Sequence, residues 1–115
     1  MKKKILFNIP YINKNSKEFI NKVFQNRRFT DGYFQKKCEN FIKHKTKSKF
    51  VSLTHSGTSA LEIAMILLNI KKGDEIIMPS YTFTSTANCV VMREAKPVFV
   101  DLDKNLNINA KKIEE

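Results

Sequence analysis

An α/β fold, with a parallel sheet covered by crossover helices, is what this sequence predicts, and three observations predict it. Short strand-like runs alternate with apolar stripes of helical period. The joints between these runs are short. The three glycines, Gly32, Gly57 and Gly73, each stand where the chain has to turn.

Taken in order, Phe19, Ile20, Val23 and Phe24 fall at helical spacing and predict a helix over Ser16 to Gln25, with Ser16 as its N-cap. Thr30-Asp31-Gly32 reads as a turn, after which Phe34, Cys38, Phe41 and Ile42 mark a second helix that ends in the lysine-rich run Lys43 to Lys49. Lys49 to Leu53 is expected to be a short strand. Ala60, Leu61, Ala64, Met65, Leu67 and Leu68 then form a helical stripe opened by Ser59-x-x-Glu62, a capping-box spacing. Gly73-Asp74 turns the chain into a strand, Glu75 to Met78, which Pro79 stops. A helix follows from Thr84 to about Met92, then a strand from Pro97 to Val100, then Asp101-Leu102-Asp103. Asn109 to Glu115 reads as the opening of another helix.

With 115 residues and 42% apolar content the chain can bury one modest core. Residues 1–50 hold 14 Lys and Arg against 3 acids, whereas residues 51–115 hold 7 against 8, so the net charge of +10 divides into +11 and −1. A basic segment attracts polyanions without specificity. No nucleic-acid motif accompanies it, and no nucleic-acid partner is expected. Cys38 and Cys89 are too few and too far apart for a disulfide framework, and no metal-ligand spacing occurs. The basic start Met1 to Lys4 resembles a signal peptide's flank, but Asn8 and Pro10 interrupt the apolar run behind it. No apolar stretch reaches membrane-spanning length, so no membrane partner is expected and the chain reads as cytoplasmic.

In open parallel sheets ligands bind beyond the carboxyl ends of the strands, which directs attention to the loops after Leu53 and after Met78. The first loop, Ser56-Gly57-Thr58-Ser59, opens a helix. Free amides of Thr58, Ser59 and Ala60, the helix dipole and the Thr58 hydroxyl would suit a phosphate, and Gly57 would permit close approach of the backbone. Spacing alone leaves open an ordinary capped turn. A P-loop is excluded, since no lysine follows the glycine turn and the second glycine is missing. The second loop offers Tyr81 and Phe83, either of which can present a flat face to a planar ligand or pack as core. His55 has no evident partner in the sequence and receives no catalytic role. Arg27 and Arg28 are expected at an exposed helix end, the alternative being contact with a substrate diphosphate.

The runs Ser56 to Glu62, Gly73 to Phe83, Ser85 to Asn88 and Lys96 to Asp101, with Phe29-Thr30-Asp31-Gly32-Tyr33 ahead of them, resemble the amino-terminal part of the nucleotide-sugar aminotransferases, the DegT/DnrJ/StrS group. The resemblance extends to Asn107-Ile108 and covers nearly the whole chain. It implies the amino-terminal part of an aspartate-aminotransferase-type large domain: a helical segment over 1–48, then a partial pyridoxal 5′-phosphate (PLP)-binding domain over 49–115. It also implies amino transfer from glutamate to the 4-keto carbon of a nucleotide-linked 6-deoxyhexose, for surface-polysaccharide synthesis, in a homodimer whose subunits share the site.

By motif, Gly57, Thr58 and Ser59 fall on the family's phosphate-binding turn, and Phe83 falls on the aromatic that stacks on the pyridine ring, with Tyr81 its neighbour. The family's lysine, which holds the cofactor and moves the proton, and its Asp, which pairs with the ring nitrogen, belong to motifs that no stretch of this sequence resembles. The expectation is therefore an amino-terminal part of a longer enzyme, inactive alone, with no catalytic residue of its own. The competing expectation is a non-catalytic remnant or binding module with weak polyanion binding through residues 1–50. One departure from the family is Glu94, where relatives commonly carry glycine.

Overall fold

The computed structural model describes residues 5–113, so the basic residues of the signal-like start and the last two residues of the expected carboxy-terminal helix lie outside the described residues. The chain divides into two compact units, one ending at Val51 and the other beginning at Ser52.

The first unit consists of α1 (Ser16–Asn26) and α2 (Tyr33–Thr46). The expected cap at Ser16 shifts by one residue: Asn15 is the N-cap and Ser16 the first helical residue, with its amide bonded to the Asn13 carbonyl at 2.9 Å. Neither helix buries a residue fully. Aromatic edges hold the pair instead. Phe19 of α1 meets Phe34 of α2 with ring centroids 5.7 Å apart at 72°, and Phe24 meets Phe29 at 5.6 Å and 68°. Such edge-to-face pairs contribute about 0.5–1.5 kcal/mol each beyond area burial. α1 stops because Arg27 adopts a left-handed conformation (φ 50°), and α2 stops at Lys47 in the same way (φ 56°).

The second unit contains a β–α–β motif preceded by a helix: α3 (Gly57–Leu67), β1 (Glu75–Pro79), α4 (Thr84–Val91) and β2 (Lys96–Val100). β1 and β2 pair in parallel from Glu75↔Lys96 to Pro79↔Val100. Their core is small: Met78, Cys89, Val90 and Ala95 are buried, Val90 to 1% exposure, with Leu61, Met65 and Ile70 packed against them. Of the stripe that the helical period singled out, Leu61 and Met65 pack on the core, whereas Ala60, Leu67 and Leu68 are exposed.

Three details differ from the sequence expectation. Residues 49–53, which straddle the boundary between the two units, are not a strand; a strand exists through its ladder, and the sheet among the described residues pairs β1 with β2. The capping box at Ser59 and Glu62 is replaced by a cap three residues earlier, at Ser56. The helix expected from Asn109 is a single 3-10 turn, Ala110–Lys112, whose start is capped by the Asn109 side chain accepting from the Lys111 amide at 3.2 Å.

Both helices of this unit end in the same way. Beyond α3 the Ile70 amide reaches the Met65 carbonyl (3.1 Å) and the Asn69 amide the Ile66 carbonyl (2.9 Å), with Asn69 at φ 55°. Beyond α4 the Ala95 amide reaches the Val90 carbonyl (3.3 Å) and the Glu94 amide the Val91 carbonyl (2.9 Å), with Glu94 at φ 55°. These are Schellman closures, in which a left-handed residue lets two amides satisfy carbonyls the helix leaves open. Each one turns the chain toward its strand and drops an apolar residue, Ile70 or Ala95, onto the core.

Candidate functional site

The site is built from the starts of α3 and α4. Before α3, Ser56 is extended (φ −155°, ψ 159°), and its Oγ accepts from the Ser59 amide at 3.1 Å. The Ser56 carbonyl accepts the Ala60 amide at 3.2 Å. Two of the three amides expected to face a ligand, those of Ser59 and Ala60, are thus already used by the helix cap. The amides of Gly57 and Thr58 remain, at the positive end of the helix dipole. A Cβ added to Gly57 would meet nothing within 4 Å, so the backbone there faces open space.

Before α4 the N-cap is Phe83 (φ −75°, ψ 145°), whose side chain offers no oxygen to the helix. The Thr86 amide turns back to the Phe83 carbonyl at 2.9 Å. This leaves the Thr84 and Ser85 amides free of intrachain acceptors among the described residues. The two helix starts meet through one hydrogen bond, Thr58 Oγ1 to Ser85 Oγ at 2.8 Å. Around it lies a cleft of about 610 Å³, lined among others by Gly57, Thr58, Leu61, Phe83, Ser85 and Thr86. The Phe83 ring is 75% exposed at its rim.

Of the residues the sequence pointed to, Gly57, Thr58 and Phe83 are therefore brought together at one cleft. Tyr81, 79% exposed, does not line it. Ser59 does not line it either: its hydroxyl lies 2.9 Å from His55 Nε2 and 3.1 Å from Ser56 Oγ, so it braces the turn. His55, without evident partner in the sequence, has one in the fold. Ser85 and Thr86 are the cleft residues that sequence reasoning passed over. Hydroxyls at a helix start read as caps, and nothing in linear spacing shows that Ser85 looks across to Thr58, 27 positions away.

Among the described residues no ionisable side chain lines the cleft. Its capacity for an anion comes from the four free amides, two helix dipoles and the Thr58–Ser85 hydroxyls, a donor set that fits a phosphate group. Its capacity for a planar group comes from the Phe83 face. A flat phosphorylated ring such as PLP fits both. Among the described residues no amine and no carboxylate side chain lines the cleft. In the other unit Arg27, Arg28, Thr30, Asp31 and Lys36 surround a separate polar cleft of about 580 Å³. Cys38 is exposed and Cys89 buried, both as free thiols. Among the described residues no group of three or more His, Cys, Asp or Glu could hold a metal ion, and no helix is long and apolar enough to cross a membrane.

Residues 10–115 match the model of the DegT/DnrJ/EryC1/StrS aminotransferase family. The sequence is 32% identical over 97 residues to the 3-oxo-glucose-6-phosphate:glutamate aminotransferase of Bacillus subtilis, an alignment covering 84% of this chain and 22% of the relative. Its fold is similar to that of Spr1654 of Streptococcus pneumoniae, assigned as a sugar aminotransferase and solved in its PLP form, with a TM-score of 0.85 at 25% identity over 96% of this chain and 28% of that one. It is similar also to a GDP-4-keto-6-deoxymannose-3-dehydratase solved with a trapped PLP-glutamate geminal diamine, with a TM-score of 0.79 at 27% identity over 87% of this chain and 28% of that one. The chain spans about a fifth to a quarter of the length of the curated relatives it matches.

Proposed function

The chain belongs to the DegT/DnrJ/EryC1/StrS aminotransferase family, and from that premise we propose that its cleft is the phosphate and ring cradle of a PLP-dependent sugar aminotransferase. Residues 1–48 form the helical segment of this enzyme, and residues 49–115 the first part of its PLP-binding large domain. The reaction proposed is transfer of the amino group of glutamate to the 4-keto carbon of a nucleotide-linked 6-deoxyhexose, as in a dTDP-4-amino-4,6-dideoxygalactose transaminase. The enzyme is proposed to work in the cytoplasm as a homodimer.

The observation that carries the reading is the meeting of two helix starts across one uncharged cleft, with an exposed aromatic ring at its rim. PLP, when bound, supplies an electron sink for the carbon being deprotonated. The residues of this chain bind and orient. The Gly57 and Thr58 amides and the Thr58 hydroxyl hold the phosphate dianion, where the dipole of α3 favours negative charge. Phe83 covers one ring face and keeps water from it. Ser59, tied to His55 and Ser56, holds the turn in shape. Among the described residues no lysine lines the cleft, and the chain alone is proposed to bind without turning over.

Titration with pyridoxine 5′-phosphate tests the cradle. This alcohol forms no Schiff base, so the many surface lysines do not confuse the readout. Saturable one-site binding is expected, weakened by Phe83→Ala about fivefold, the size of one aromatic contact. Absence of saturable binding would remove the reading. The chain alone, given PLP, glutamate and dTDP-linked 4-keto-6-deoxyglucose, should form no amino sugar detectable by mass; product formed by the chain alone would overturn the reading that it binds without turning over.

A second reading rests on charge: the +11 of residues 1–50 suits a weak polyanion-binding module. Retention on heparin that survives physiological salt would favour it, and loss of retention there would not.

A further inference from the structure

We propose that Ser85 is a positioning residue of the phosphate cradle, holding the Thr58 hydroxyl so that the pair always presents one O–H to a phosphate oxygen. The proposal rests on the reading of the cleft as a phosphate site. Thr58 and Ser85 occupy the same place in their helices, the second residue of α3 and of α4. Hydroxyls near a helix start commonly bond to their own backbone. These two do not: α3 is capped by Ser56, and α4 has no side-chain cap. They bond to each other instead, at 2.8 Å, and both line the cleft.

A hydroxyl has one proton to donate and two lone pairs to accept with. The bond between the pair consumes one proton, whichever residue donates it. One proton is left over, on Ser85 if Thr58 donates and on Thr58 if Ser85 donates. Both oxygens border the same cleft, so an anion there can recruit the spare proton in either arrangement. Without Ser85 the Thr58 hydroxyl is free to rotate, and ordering it on ligand binding costs entropy that the intact pair has already lost.

The test compares pyridoxine 5′-phosphate with pyridoxine, which differ only in the phosphate, by calorimetric titration of the whole chain. Ser85→Ala is expected to weaken pyridoxine 5′-phosphate about three- to tenfold, the span of one net hydrogen bond, and to leave pyridoxine within about twofold. Ser85→Thr, which keeps the hydroxyl, should restore the phosphate preference. In the Thr58→Val background Ser85→Ala should weaken the phosphorylated probe less than it does in the wild type, because the shared bond is already lost. Equal weakening of both probes by Ser85→Ala would make the bond mere glue between helices and overturn the proposal. A wild-type chain that prefers the phosphorylated probe while Ser85→Ala keeps the full preference would overturn the proposal alone. A wild-type chain with no preference would overturn it together with the phosphate-site reading.

Discussion

Glu94 carries a strain that its neighbours explain. It closes α4 in the left-handed region at φ 55°, where a side chain costs about 1–2 kcal/mol that glycine avoids. Its ion pair with Lys72, at 3.1 Å, is exposed on both sides and contributes little. Glu94→Gly should therefore stabilise the chain by about 0.5–1 kcal/mol, net of the extra entropy of a glycine in the unfolded state, measurable as a higher urea midpoint. Gly57 poses the opposite case. Its added Cβ would meet open space, so Gly57→Ala should leave the midpoint within about 0.5 kcal/mol. The same methyl stands where a phosphate would approach, and affinity for pyridoxine 5′-phosphate should fall. Binding that is unchanged in this variant would show that no ligand comes close to the turn. The departure from glycine at position 94 was legible in the sequence, whereas its conformation was not, since φ at a helix end depends on which amides the following strand leaves to be satisfied.

At the scale of elements, the caps are the least legible feature. Ser52, Thr54, Ser56, Thr58 and Ser59 crowd one short stretch, and any of several can cap a helix. Position in space decides: the Ser56 hydroxyl caps α3, while Thr58 turns to α4 and Ser59 to His55. Ser56→Ala should cost about 1 kcal/mol of stability, read from denaturant unfolding, whereas Ser59→Ala keeps the amide that is capped and should cost less. Helix and strand spans were more legible. Pattern placed β1 and β2 within a residue or so of their true limits, because Gly73 and Pro79 punctuate the chain. It failed at residues 49–53, because β-like composition does not by itself supply a neighbouring strand.

The strand pair has a pH signature of its own. The Lys96 ammonium is held above its ordinary value, first by the hydrogen bond it donates to Glu75 at 2.7 Å and then by that carboxylate's charge. A raised folded-state value means that the contribution is fully present below pH 10.5 and fades as pH rises through the higher folded-state value. The stability difference between the chain and Lys96→Met should accordingly shrink in alkaline solution; a difference that persists there would assign it to packing of the lysine stem.

For the molecule as a whole, the buried core is slight against the apolar surface left outside it. Met78, Cys89, Val90, Ala95 and Val100 are buried, while Phe50, Leu67, Leu68 and Met92 are each more than 60% exposed. So little buried surface leaves a narrow margin over conformational entropy. The chain alone should unfold in a broad transition of low enthalpy and bind an anilinonaphthalene dye in native buffer; a sharp transition with no dye uptake would contradict this. The sequence by itself determined the α/β class, the order of helices and strands around β1 and β2, and the two turns that border the cleft, because hydrophobic period and turn residues are local properties written at fixed spacings. Only the tertiary structure decided which hydroxyl caps α3, which amides stay free, and that Thr58 and Ser85 share one hydrogen bond. Those outcomes depend on distances between residues far apart in the chain, and no linear spacing records them.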